Sequence, residues 1–594
     1  MKKKYTDYPS IDLNHTKDAS FFEKKPIIPG FDMISILKIL NRKNKNLPAI
    51  DSNQLKATYQ ELIDDSHKLS LAFRELGVKK KDIVTLSLPS NYQAIISFFA
   101  LNEIGAVTTF IDNYATDAEV LEYLSCYTSP ILVNFDKSKE ENQYIKDNSN
   151  VKYIVTLSSK LSNEKDIDLK YIKNESDYLI DFHTMGSLSK FKKKHLIIPN
   201  KKNNDALILY TSGSTGKPKA VVLTNKNILA AQMYAGNTSH TENITGTKTM
   251  TCVPLRYPYG MVTSLLTSLL WGKEAIMTPD WDYNTVKYYY DKKPNIVFGS
   301  PAVLDITMRN LGYGNDLSHI SHFISGGDFL TEEKARIGYD FFKKNNNYDV
   351  EIGNGCGNAE TVSIASTPVG VPLKQHTAGK ILVGITPLII DKDIDDDKVI
   401  IDGNSLEEKK HFEVGELCIS GDLVFKEYFN DKEKTACAKF KRGKKTFFRT
   451  GTLGYIDDDG YFVPTDRKSR FFIRSTGHKV YLDNVQRIIM ASSNLINDIA
   501  CVKIPDEDLL YQTKAYIVLK DGVMPDEDTK RLINDSLLIP INTNGKNEQL
   551  KEYEIPSEIE FISELPRVKS TGKINYKELE ALALKNKNVK TLKL

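Results

Sequence analysis

At 594 residues the chain exceeds what one hydrophobic core supports, so two or more domains are expected. Its 41% hydrophobic and 26% charged residues fit a folded soluble protein, and 80 basic against 77 acidic residues leave a net charge of +3, which excludes the strong positive field of a nucleic-acid or membrane-surface binder. Six cysteines without regular spacing exclude a disulfide framework and suit a reducing compartment.

Met1-Lys-Lys-Lys-Tyr has the charge of a signal-peptide start, but Asp7, Asp12 and Asp18 stand where its apolar core belongs. The longest apolar stretches, such as Met261 to Trp271, are too short and interrupted to span a bilayer. A cytoplasmic location without a membrane span is therefore expected. Residues 1 to about 30 read as a surface arm. From Met33, the positions Ile34, Ile36, Leu37, Ile39 and Leu40 have helical spacing, and Tyr59 to Leu76 repeats it. Strand, helix and strand follow at Asp82–Leu88, Tyr92–Ile104 and Ala106–Ile111. The alternation continues at Ile131–Val133, Tyr153–Val155 and Ala206–Tyr210, which predicts α/β layers with largely parallel sheets. The polar tract Asn163 to Asn203 reads as a long surface loop.

The apolar run Leu207–Tyr210 then enters Thr211, Ser212, Gly213, Ser214, Thr215, Gly216, Lys217, Pro218 and Lys219, and a second run, Val221–Leu223, leaves. Glycines let backbone N–H groups approach an anion, hydroxyls donate to its oxygens, and lysines supply positive charge. Such a loop suits nucleotide phosphates. It is not a Walker A loop, because Pro218 follows Gly216-Lys217 where that motif needs Ser or Thr. From Tyr210 to Val221 it resembles the phosphate loop of the adenylate-forming superfamily: acyl-CoA synthetases, aryl-CoA ligases, luciferases and nonribosomal-peptide adenylation domains.

Beyond the loop, Thr224 is placed to N-cap a helix from about Lys226 to Ala235. Thr251 to Gly260 is similar to the family segment that gates the acyl pocket, which implies that Tyr257 and Gly260 line it. Pro258 stands where the family has a His, and the segment lacks the Asp with which adenylation domains hold an α-amino acid. Asn295–Pro301 and His322–Asp328 read as strand-to-loop transitions, with glycines where a ligand approaches backbone. The second resembles the family's Ser-Gly-Gly turn beside adenine, which implies that Gly326, Gly327 and Asp328 meet the nucleotide.

Asn354, Gly355, Cys356, Gly357, Asn358, Ala359 and Glu360 resemble the segment aromatic-Gly-x-Thr-Glu. There the aromatic stacks on adenine, the Thr meets phosphate and the Glu holds magnesium. Gly357 and Glu360 match; Cys356 replaces the aromatic, Ala359 replaces the Thr, and Thr361 comes one residue late. Val414–Gly421 and Lys426–Asp431 resemble two architectural segments of the family. Arg449-Thr-Gly-Thr452 resembles Arg-Thr-Gly-Asp, with Thr452 in place of the Asp that accepts from both ribose hydroxyls. Asp466 to Arg470 resembles the family hinge: Arg467 fits the position that contacts ribose and phosphate, Asp466 replaces a Gly, and Ser469 takes the pivot. Thr476 to Val480 resembles the turn that opens the small domain, which implies a thiol-acceptor channel at Gly477 and Lys479. Ala500–Ile504 and Thr513–Leu519 read as strands and Asp526–Leu538 as helix. Leu565 to Ile574 resembles the signature Pro-Lys/Arg-Thr-x-x-Gly-Lys, which makes Lys573 the expected catalytic lysine.

The resemblance implies an α/β fold: a large N-terminal domain of layered α/β sheets, residues 1–466, joined by a hinge to a smaller, mobile α+β domain, residues 467–594. It implies two half-reactions. A small carboxylic acid attacks ATP with Mg²⁺ present to give acyl-adenylate and pyrophosphate, and a thiol, CoA first among candidates, displaces AMP. The alternatives are an acyl-AMP ligase that loads a separate carrier protein, and a non-catalytic nucleotide-binding homologue. The departures at Pro258, Cys356, Ala359 and Thr452 motivate the last.

Overall fold

The structure, a computed structural model, describes residues 27–586 except 54, 159–177, 183–200, 212–218, 240–246, 280–283, 329, 331, 348–349, 368–372, 375–376, 392–412, 468–469, 474–478, 507–508, 544–545 and 569–572. Contacts divide the chain into two units: residues 1–374, 379–386 and 420–437, and residues 375–378, 387–419 and 438–594.

Two sheets organise the first unit. The eight-stranded sheet runs Glu427–Tyr428, Ala220–Thr224, Asp205–Tyr210, Val107–Phe110, Ile83–Ser87, Ile131–Phe135, Tyr153–Leu157 and Leu179–Asp181. From Asp205–Tyr210 to Leu179–Asp181 every pairing is parallel, as the strand–helix alternation predicts. These strands are buried on both faces, which is why Ile83–Ser87 and Val107–Phe110 read as continuous runs rather than as alternations. Tyr92–Ile104 is buried along its whole length and sits inside the fold, with Gly105 ending it in the left-handed region at φ 81°. Thr58, Thr116 and Ser138 start other helices with capping boxes to Glu61, Glu119 and Glu141. One expectation is corrected: Leu179–Asp181 lies within the tract read as loop, yet it closes this sheet beside Tyr153–Leu157. Three residues are too short a run for periodicity; pairing decides them.

The nine-stranded sheet contains the parallel succession Glu351–Cys356, His322–Ser325, Ile296–Gly299, Lys248–Thr251, Glu274–Met277 and Pro48–Ser52. Its core gathers Met250, Ile276, Val297, Phe323, Phe342 and Ile352. Ser325 pairs with Gly299 on one side and Asn354 on the other, so Ser300, Gly326 and Gly355 share one carboxyl edge. Open parallel sheets bind ligands beyond that edge.

In the second unit, a five-stranded sheet includes Gly415–Ser420, Lys445–Ile456 and Phe462–Arg467. The long strands Ile496–Asp506 and Leu510–Leu519 pair antiparallel, and Glu558–Phe561 adds in parallel. Helices Leu482–Ser492 and Tyr576–Asn586 pack on Ile496–Asp506, which gives the α+β character expected of the C-terminal part. Asp526 N-caps Glu527–Ser536, the helix expected there. No helix among the described residues is long and apolar enough to cross a membrane, and none of the six cysteines is joined in a disulfide.

Candidate functional site

The glycine-rich loop begins and ends on paired strands. Asp205–Tyr210 and Ala220–Thr224 run antiparallel with Tyr210 opposite Ala220. The Thr211 N–H donates to the Lys219 carbonyl at 3.0 Å, and the Lys219 N–H donates to Thr211 Oγ1 at 3.2 Å. Thr211 and Lys219 thus clamp the loop's two ends. Ser212, Gly213, Ser214, Thr215, Gly216 and Lys217 lie outside the described residues. The exit strand leads into helix Asn225–Ser239, where the Asn227 N–H donates to Thr224 Oγ1 as the expected N-cap.

Edge strand Glu427–Tyr428 pairs with the exit strand, Tyr428 opposite Val221. Lys219 Nζ lies 5.2 Å from the Tyr428 ring centroid, a cation–π contact. The Tyr428 hydroxyl donates to Glu360 Oε1 at 2.7 Å. Burial raises the Glu360 carboxyl above its ordinary range, opposed by the Tyr428 hydrogen bond and the Lys219 charge. The Phe425 N–H donates to the Glu360 carbonyl at 2.7 Å, so segment 425–428 ties the exit of the loop to the turn after the second sheet. Spacing in the sequence carries no sign of this; Tyr428 was read as architecture.

The Glu360 turn is strained. Val362 has φ 63°, a left-handed conformation costly for a β-branched residue, of order 1–3 kcal/mol. A Cβ at Gly357 would lie 2.1 Å from the Val362 carbonyl oxygen, so this close approach requires glycine. Thr361 is fully buried and donates to Asn358 Oδ1 at 2.7 Å. Its hydroxyl is therefore engaged locally and does not stand in for the hydroxyl that Ala359 lacks. Cys356 ends its strand half-buried, opposite Ala365. Asn354 accepts from Thr367 Oγ1 at 2.8 Å, and Gly355 pairs with Ser366.

Along the same carboxyl edge, Gly327 takes φ 83° and Asp328 is exposed. A Cβ at Gly326 would stand 2.9 Å from the Tyr259 ring, and that ring's hydroxyl donates to the Ile324 carbonyl at 2.6 Å. Tyr259 opens a π-helix, Tyr259–Leu266, a form frequent at functional sites. Gly260 is buried against the Val253 and Pro254 carbonyls, which a Cβ would meet at 2.4 and 2.5 Å. Tyr257 is half-buried under the Arg256 guanidinium, 4.9 Å from its ring centroid. Arg256 pairs with Asp112 at 3.3 Å, so folding brings to this segment an acidic group that its own residues lack.

In the second unit, Thr452 and Arg467 face each other across antiparallel strands, and Asp466 pairs one step away with Leu453. Buried Arg449 donates to Glu416 Oε2 through Nε at 3.1 Å and Nη2 at 2.6 Å. The Gly451 N–H donates to Glu416 Oε1 at 3.2 Å. Arg567 and Ile574 form an isolated bridge beside Lys573, whose carbonyl accepts from the Val568 N–H at 2.8 Å; residues 569–572 lie outside the described residues. Arg567 pairs with Asp498 at 2.6 Å. Arg470 pairs with Asp483, donates to the Cys501 carbonyl at 2.6 Å and stacks 3.6 Å from the Tyr576 ring centroid. It anchors the chain just after the expected hinge to the helix that follows Lys573, a role no motif announced. Ser469 and Gly477 lie outside the described residues; Lys479 begins the strand Lys479–Tyr481.

A family model described as AMP-binding enzyme matches residues 39–429, through both sheets of the first unit and the Tyr428 strand. The chain belongs to this family. This AMP-binding enzyme is 27% identical over 576 residues to a long-chain-fatty-acid–CoA ligase of Bacillus subtilis (strain 168), covering 95% of the chain and 96% of the relative. It is 25% identical over 543 residues to a luciferin 4-monooxygenase of Photuris pensylvanica, with 89% and 90% covered. The crystal structure of ATP-bound MatB from Rhodopseudomonas palustris shares the fold, with TM-score 0.75 at 20% identity over 92% of this chain and 98% of that one.

The donor set of the AMP-binding enzyme fits a hard cation that nucleotide phosphates also ligate. Glu360 offers carboxylate oxygen from a buried position beside Tyr428. Among the described residues no cluster of three or more His, Cys, Asp or Glu could hold a metal alone. Magnesium needs only one or two protein carboxylates when phosphates and water complete its shell.

Proposed function

We propose that this AMP-binding enzyme is an ATP-dependent acid–thiol ligase that activates a carboxylic acid as acyl-AMP and transfers the acyl group to a thiol, with CoA as acceptor. The observation that carries this reading is the meeting of Lys219 and Glu360 on Tyr428 at the end of the glycine-rich loop. A cation for phosphate and a carboxylate for Mg²⁺ stand together where the loop closes.

In the first half-reaction a carboxylate oxygen bonds to the α-phosphorus and the bond from that phosphorus to pyrophosphate breaks. One anion attacks another, so positive charge and oriented donors are needed where negative charge grows. In this reading Thr211 to Lys219 would hold the leaving pyrophosphate, Lys573 would supply positive charge to the attacking carboxylate and the α-phosphate, and Gly326 to Asp328 with Asn354 to Gly357 would border the adenine. Glu360 would hold Mg²⁺, which when bound would neutralise phosphate charge. In the second half-reaction the thiol sulfur bonds to the acyl carbon, AMP leaves, and the thiol proton passes to solvent. A small domain from residue 467 turns about Ser469 between the steps, with Gly477 and Lys479 on the thiol channel. Tyr257 and Gly260 belong to the acid pocket. The name of the Bacillus relative supports a fatty acid as substrate, and the cysteine pattern supports a cytoplasmic setting.

Acid-dependent exchange of labelled pyrophosphate into ATP tests the reading, with a panel of carboxylic acids. The non-catalytic alternative has its own support, since Ala359 has no hydroxyl and the buried Thr361 hydroxyl is taken by Asn358. Absence of exchange with every acid favours it. Supplying CoA against a purified carrier protein separates the two acceptors.

Thr452 yields a further expected outcome. A threonine hydroxyl cannot offer the ribose diol the two charged acceptor oxygens of a carboxylate. Hydrogen bonds to charged groups contribute roughly 1.5–3 kcal/mol, or one to two decades in affinity at about 1.4 kcal/mol per decade. Thr452→Asp is expected to tighten ATP by about tenfold or more without changing the preferred acid. Equal ATP affinity by calorimetry would remove Thr452 from the ribose site.

A further inference from the structure

We infer that Tyr428 is a positioning residue for adenylation: its hydroxyl fixes the carboxylate that holds the divalent cation, while its ring face holds the loop lysine. The inference rests on the reading of Glu360 and Lys219 above. It goes beyond that reading by giving the two halves of the phosphate site one shared support.

Three observations place Tyr428 there. Its backbone is set by the sheet: Tyr428 pairs with Val221, the Lys426 N–H donates to the Val222 carbonyl at 3.0 Å, and the Phe429 N–H donates to the Ala220 carbonyl at 2.8 Å. The residue therefore keeps a fixed register to Lys219, the last residue of the loop. Its ring is buried, and the Phe425 ring packs against it with centroids 4.8 Å apart, so the side chain has little freedom. Its hydroxyl donates to Glu360 Oε1 at 2.7 Å, a charge-assisted bond of the kind that orients a metal-holding carboxylate.

The two contacts differ in chemistry, and the difference suits the task. A hydroxyl that donates to Oε1 fixes the orientation of the carboxylate, which would present its remaining lone pairs to a cation in one direction. An aromatic face holds an ammonium without neutralising it, whereas a carboxylate partner would compete with phosphate. Among the described residues Lys219 forms no ion pair. Its charge stays available for the leaving pyrophosphate, and its stem is aimed by Tyr428.

Tyr428→Phe removes the hydroxyl and keeps the ring. Mn²⁺, a paramagnetic stand-in for Mg²⁺, is titrated by electron paramagnetic resonance into the full-length protein with saturating ATP. ATP affinity without divalent metal is measured in parallel. Loss of an outer partner of a metal ligand costs 10–100-fold in metal affinity. The expected result for Tyr428→Phe is Mn²⁺ binding weakened about tenfold, with metal-free ATP affinity within about twofold of the parent because the ring still holds Lys219. Glu360→Gln supplies the reference, and adding Tyr428→Phe to Glu360→Gln is expected to change Mn²⁺ affinity no further, since the tyrosine acts through the carboxylate. If Glu360→Gln weakens Mn²⁺ but Tyr428→Phe does not, the inference is overturned and the Glu360 assignment stands. Unchanged Mn²⁺ binding in Glu360→Gln removes the assignment and the inference with it. Should Tyr428→Phe fold poorly by circular dichroism, Tyr428→Trp keeps a ring and loses the phenol, and the same two affinities decide.

Discussion

Lys573→Ala is expected to lower acyl-adenylate formation by about two to three orders of magnitude, the usual cost of removing a preorganised charge from a transition state. Thioester formation from preformed acyl-adenylate is expected to persist, because the proposed reading gives Lys573 a role in the first step alone. The backbone beside it is held by the Arg567–Ile574 bridge and by the Val568 N–H on the Lys573 carbonyl. Arg567 keeps its contact with Asp498. Pyrophosphate exchange reads the first half-reaction, and single-turnover transfer from synthetic acyl-AMP reads the second. Equal loss in both would make Lys573 a structural residue.

The second large effect concerns stability. Arg449 and Glu416 are buried to 5% and 2% side-chain exposure and join neighbouring strands. Arg449→Ala would leave Glu416 buried without its guanidinium partner, with the Gly451 N–H still donating to Oε1. Breaking a buried pair in this way costs about 3–5 kcal/mol, whereas replacing both members by apolar residues is often neutral or better. Arg449→Ala is therefore expected to destabilise the second unit by that amount, and Arg449→Met with Glu416→Leu to recover most of it. Denaturant titration followed by proteolysis at sites in the second unit checks both, since a chain of two units need not unfold in one step. A change under about 1 kcal/mol in Arg449→Ala would show that water reaches Glu416 and that its charge is solvated.

Much of the fold was legible along the chain because its signals are local. The fully apolar strands, the capping residue Thr224, the helical stretch from Asp526 and the helical spacing from Met33 each concern neighbours within a few residues, and the structure follows them. The same holds for the two strands that Thr211 and Lys219 join to the loop. Leu179–Asp181 was illegible because three residues carry no period, and only Tyr153–Leu157 beside them makes a strand.

The site divides along the same line. Sequence by itself determined which residue types are present: the hydroxyl–glycine–lysine loop, one carboxylate at Glu360, threonine at 452 and the lysine at 573. The tertiary structure decided which of them meet. Tyr428 and Glu360 are 68 residues apart and touch through one hydrogen bond, and Lys219 reaches the same ring only because an edge strand pairs with Val221. Asp112 reaches Arg256, and Arg470 reaches Tyr576, by the same kind of long-range pairing. Periodicity records whether a residue is buried, since burial depends on its own element. The partner of a side chain depends on strand order and register across the sheet, and those emerge only when distant segments compete for the same edge.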